Sequence, residues 1–136
     1  MTQTPQMKPL LDLVVLDCPQ PRELAAFYSQ ILGWPIEEGS SDDFVTLTPS
    51  RDPGDTDRPA GRISLAFQQV EDYQPPTWPE GPRPQHFHLD LAVSDLDAAE
   101  PAVLGAGATR HEHQPSENGS FRVYLDPAGH PFCLVS

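Results

Sequence analysis

At 136 residues the chain is long enough for one domain with a real core and too short for two ordinary ones. Its net charge of −12, from 20 acidic against 8 basic residues, argues against the basic surface that nucleic-acid binding requires. Hydrophobic residues make up 38% of the chain, but no run approaches the ~20 apolar residues of a membrane-spanning helix.

The first segment, Met1–Lys8, lacks the charged and then apolar layout of a signal peptide, and Cys18 and Cys133 form no disulfide framework. A cytoplasmic protein without membrane or nucleic-acid partners is the expectation. Leu11–Leu16 reads as a strand rich in branched residues. A helix follows over about 21–32: Leu24, Phe27, Tyr28 and Ile31 recur at helical spacing, and Gly33 supplies the stop. Short strands are predicted at Trp34–Glu37, Phe44–Thr48 and Arg62–Gln68. Pro is concentrated in Pro49–Pro59 and Pro75–Pro84, which marks both as loops.

The second half repeats the order. His86–Val93 reads as a strand, and Ser94-Asp95-Leu96-Asp97 opens a helix in the manner of a capping box, with Asp in place of the usual Glu. That helix is expected to reach Leu104 and stop at Gly105-Ala106-Gly107. Strands near Thr109–His111, Phe121–Leu125 and Pro131–Val135 finish the chain. The last two are joined by Asp126-Pro127-Ala128-Gly129, strong turn chemistry because Pro presets φ and Gly accepts a positive one. The expected fold class is therefore α+β: one domain of two βαβββ modules, about 10–70 and 86–136, joined by a Pro-rich linker over about 71–85.

Three words in this order carry a resemblance. They are Leu24-Ala25-Ala26-Phe27-Tyr28 leading to Ile31-Leu32-Gly33-Trp34, then His88-Leu89-Asp90-Leu91-Ala92-Val93, then Asp126-Pro127-Ala128-Gly129-His130. Along essentially its whole length the chain resembles the vicinal oxygen chelate superfamily, the glyoxalase and bleomycin-resistance fold. The Pro-Pro-Thr-Trp-Pro segment and the Phe132-Cys133-Leu134-Val135 ending resemble its glyoxalase-like branch. The resemblance implies two paired modules whose curved mixed sheets surround a cavity, and often a homodimer. It also implies four metal-ligand positions, which here hold Leu13, Ser64, His88 and Cys133. Leu cannot ligate and Ser is a poor ligand for a divalent ion, whereas His and a thiolate are good ones. The closing-strand Glu of metal-using relatives is replaced by Cys133. The expectation is no metal and no cofactor, with Leu13, Ser64, His88, Asp90 and Cys133 lining a small-molecule site.

Strand alternation sends His86, His88 and Asp90 to one face, so a rearranged metal set with Cys133 is the rival reading. It would serve a metal-dependent lyase or dioxygenase. A third reading, drug sequestration in the bleomycin-resistance manner, draws on the acidic charge. Asp17 shares the face of Leu13 and Val15; it either reaches the cavity mouth or caps the turn before the first helix. Trp78, flanked by prolines, is either a lid over the cavity or a loop anchor. Trp34 is expected in the core, Cys133 as a small buried residue, and His111-Glu112-His113 in an exposed hairpin.

Overall fold

The structure, a computed structural model, describes residues 8–49 and 63–136. The chain order is β1 (Leu13–Cys18), α1 (Pro21–Leu32), β2 (Phe44–Leu47), β3 (Ser64–Gln69), β4 (Leu89–Ala92), α2 (Leu96–Ala106), β5 (Thr109–Arg110), β6 (Phe121–Leu125) and β7 (Pro131–Val135). The strands form two mixed sheets of orders β1-β3-β2 and β4-β7-β6-β5. In each, the first strand of the module lies at one edge and runs parallel to the last, β1 to β3 and β4 to β7. The remaining pairs, β2 with β3, β5 with β6 and β6 with β7, are antiparallel. The expected α+β class and the repeated pattern are present, and the two sheets are not closed into one.

The modules differ where local sequence is weakest. The strand expected at Trp34–Glu37 is reduced to a single bridge between Ile36 and Leu47, while its counterpart β5 keeps two residues. The first strand starts at Leu13 rather than Leu11, and the strand expected from His86 starts at Leu89. Most of the first Pro-rich segment and Arg62 lie outside the described residues.

Helix starts follow side-chain chemistry. Pro21 occupies the first turn of α1, where its missing N–H has no partner to lose, and Gly33 closes the helix at φ 72°. At α2 the cap is Asp95 rather than Ser94: its carboxylate accepts from the N–H of Asp97 at 2.9 Å and of Ala98 at 3.3 Å. The helix carries Pro101 inside and extends past Gly105 to Ala106, so Gly107 rather than Gly105 ends it.

One core spans both modules. Leu24, Phe27 and Tyr28 of α1 are buried together with Val45, Leu47 and Phe67 of the first sheet and Tyr124, Phe132 and Leu134 of the second. The Tyr28 ring stacks on Phe67 at 5.6 Å and meets Phe132 edge-on at 6.2 Å, and Phe27 lies 5.9 Å from Phe132. Such pairs add about 0.5–1.5 kcal/mol each beyond area burial. Trp34 packs against this core as expected. Among the described residues, no helix is long and apolar enough to cross a membrane.

Candidate functional site

A cavity of about 890 Å³ lies where the first strands of the two modules and the linker meet. That is within the range of small-molecule sites. Leu13, Val14, Val15, Leu16 and Asp17 of β1 all line it, as do the consecutive residues His86 to Leu89. Neighbouring strand residues point to opposite faces, so a wall made of consecutive residues meets the strand at its edge rather than on a face. This explains a difference from the sequence expectation. Leu13, Val15 and His88 line the cavity, whereas Ser64, Asp90, Cys133 and Trp78 do not. Ser64 and Cys133 are each one strand further in, on β3 and β7, and are buried there.

Asp17 reaches the cavity and does not serve the helix, whose N-cap residue, Gln20, makes no side-chain cap. The linker supplies the far wall through Tyr73, Gln74, Pro76 and Pro82–Gln85. Trp78 faces elsewhere. Its ring lies 5.0 Å from that of His111 and 5.3 Å from that of His113, and its carbonyl is 3.1 Å from His111 Nε2. It thereby anchors the linker to the β5–β6 connection, and His111 is half-buried rather than in an exposed hairpin.

The register across the first sheet sets Leu13 opposite Ser64. The Ser64 hydroxyl is 3.1 Å from that of Thr48. In the second sheet Asp90 stands opposite Cys133, and His88 immediately precedes the first residue of β4. His88 lies two residues before Asp90, and its Nε2 is 3.2 Å from an Asp90 carboxylate oxygen. The donor atoms of His88, Asp90 and Cys133 all fall within 4.8 Å of one another, the one group of three such donors among the described residues. Burial, reinforced by the Asp90 charge and a hydrogen bond to it, pushes the Cys133 thiol up to about 11. The thiol is thus protonated near neutral pH. An imidazole, a carboxylate and a sulfur suit zinc in type and number, provided the thiol loses its proton on binding.

A second polar group on the cavity wall had no counterpart in the sequence reading. Asp126 is buried in the β6–β7 turn and accepts from the N–H of Ala128 at 2.9 Å and of His130 at 3.0 Å. The Tyr28 hydroxyl donates to the same carboxylate at 2.7 Å across 98 residues of sequence. His130 Nδ1 lies 2.9 Å from it. A carboxylate only accepts, so Nδ1 carries the proton. His130 Nε2 then faces the Tyr73 hydroxyl at 3.2 Å, and Tyr73 also reaches the Ala128 carbonyl at 2.9 Å. Tyr28, Tyr73 and His130 all line the cavity. Burial first, and then the Asp126 charge, hold both tyrosines above the ordinary phenol range, so both keep their protons as donors. The turn itself was legible; its distant partners were not.

The sequence profile of the glyoxalase-like domain matches residues 13–135. The chain belongs to that family. No curated protein matches it. Solved structures of the same fold include a glyoxalase/bleomycin resistance protein/dioxygenase family enzyme from Burkholderia phytofirmans. It is 20% identical, covers 93% of this chain and 97% of its own, and has a TM-score of 0.64. A possible glyoxalase from Bacillus cereus is 12% identical at TM-score 0.62, covering 93% and 97%. The fosfomycin resistance protein FosX from Listeria monocytogenes is 13% identical at TM-score 0.63, covering 96% and 90%. It was solved with Mn(II) and 1S,2S-dihydroxypropylphosphonic acid. At these identities the likeness carries the fold alone.

Proposed function

We propose that this glyoxalase-like protein binds an organic small molecule in the cavity between the β1 edge and the His86–Leu89 segment, without the family's four-ligand metal site. The observation that carries the reading is the cavity itself: a largely apolar wall of Leu13, Val15, Pro76 and Phe87, into which a few polar groups converge from both modules and the linker. Binding alone and metal-independent catalysis both fit this arrangement. The test is a fragment screen followed by amide chemical shifts on labelled protein. Hits should move the signals of Val14, Tyr73, His86 and Leu89 together. H88A should weaken them without unfolding the domain. Shifts confined to the outer faces of the helices would overturn the site.

A second reading rests on the His88, Asp90 and Cys133 cluster. These three would hold a zinc ion, and the ion when bound would supply Lewis acidity or an activated water. His88 also lines the cavity, so the two readings share a residue. About one metal per chain by elemental analysis of untagged protein, lost in H88A and in C133S, would favour the metal reading. Metal-free protein that takes up no added zinc would favour the first.

A further inference from the structure

We infer that the cavity is selective for an amphipathic organic anion, with its charged head on Arg83 and its apolar body along the β1 edge. The inference rests on the cavity reading above and adds the class of ligand. It begins from charge: 20 acidic residues compete for 8 basic ones, so a cation left without a carboxylate partner is unexpected. Arg22 pairs with Asp42, Arg110 with Glu100, and Arg122 with Asp97 and Glu100. Lys8 and Arg83 pair with no carboxylate among the described residues, and of the two only Arg83 lines the cavity.

Its backbone and its side chain are each tethered to the linker by one hydrogen bond. Nε donates to the Pro75 carbonyl at 3.0 Å, and the Arg83 backbone N–H donates to the Thr77 hydroxyl, also at 3.0 Å. The two terminal nitrogens remain as a fork, the geometry that suits a carboxylate or a phosphate.

The rest of the lining agrees. Asp17 is the one carboxylate among the lining residues, and Arg83 the one guanidinium. Two further carboxylates adjoin lining residues: the buried Asp126 accepts from Tyr28 and two backbone N–H groups and lies 2.9 Å from His130 Nδ1, and the exposed Asp90 lies 3.2 Å from His88 Nε2. The body of the ligand would lie against Leu11, Leu13, Val15, Pro82 and Phe87, which offer no charge. The acidity of the whole chain therefore does not describe its cavity, and a cationic drug would meet Arg83 rather than a carboxylate cluster.

The test compares four probes of one chain length by calorimetry: decanoate, decyl phosphate, decanol and decyltrimethylammonium. The expected result is that at least one of the two anions binds about tenfold or more tightly than decanol and the cation, as one charge-assisted contact implies. R83Q should erase that preference while leaving decanol binding in place. R22Q, which removes an exposed cation away from the cavity, should leave the preference intact. Circular dichroism checks that both variants fold. Cation binding equal to or tighter than anion binding would overturn the inference while leaving the cavity reading standing, as would an anion preference that survives R83Q or is lost equally in R22Q. If none of the four probes moves the amide signals of cavity residues, the cavity reading itself fails.

Discussion

Replacing Asp126 by Ala should be among the most damaging single changes outside the apolar core. The carboxylate accepts from Tyr28, from His130 Nδ1 and from two backbone N–H groups of its own turn. In D126A the Tyr28 hydroxyl, on a fully buried side chain, keeps its desolvation cost and loses its acceptor. An orphaned buried donor costs about 1–3 kcal/mol, and each lost turn bond about another 1 kcal/mol. The expected total is about 3–5 kcal/mol, in the range measured when one partner of a buried charged network is removed. Y28F alone should cost less, because it removes donor and orphan together and leaves Asp126 its three other donors. The double variant D126A/Y28F should then be less destabilised than the two single changes imply, with a coupling of about 1–2 kcal/mol. Urea unfolding followed by tryptophan fluorescence measures all three. A D126A midpoint within about 1 kcal/mol of the parent, or strict additivity with Y28F, would refute the account of the network.

Phe27→Ala removes a buried ring that touches Tyr28 and Phe132, and it should cost about 3–5 kcal/mol in the same assay. Cys18 is fully buried, its thiol donates to the Gln68 carbonyl, and burial pushes it from 9.0 to about 11. A raised value favours the protonated form in the folded state. Its contribution is complete below about pH 9 and is lost as pH rises through about 11. The urea midpoint of the parent should therefore fall more steeply over that interval than that of C18A, and equal slopes would contradict the assignment. Homodimer formation is expected because both sheets are open and leave apolar side chains such as Leu10, 81% exposed, for a partner to cover. Light scattering should give twice the 15.0 kDa chain mass, reduced in L10S; a monomer mass for the parent would exclude it.

The architecture was legible in the sequence because each signal is local. Helical spacing in Leu24, Phe27 and Tyr28, the Gly33 stop and the Asp-Pro-Ala-Gly turn act within a few residues, and the repeat of one module reinforced them. Where local signals were thin they failed at element ends. Nothing in Trp34–Glu37 fixes more than one bridge, and His86–His88 stay outside β4 because no neighbouring strand pairs with them. Strand alternation also announced that His88 and Asp90 share a face, and both come together with Cys133. Which residues line the cavity was decided only by tertiary structure. The period of two predicts a face, but the cavity runs along the outer edge of β1 and the non-strand segment before β4, and so takes consecutive residues from each. The hydrogen bond from Tyr28 to Asp126 and the docking of Trp78 on His111 likewise join positions 98 and 33 residues apart. No local pattern encodes such partners: the first pair meets because the two modules share one core, the second because the linker packs on the β5–β6 connection.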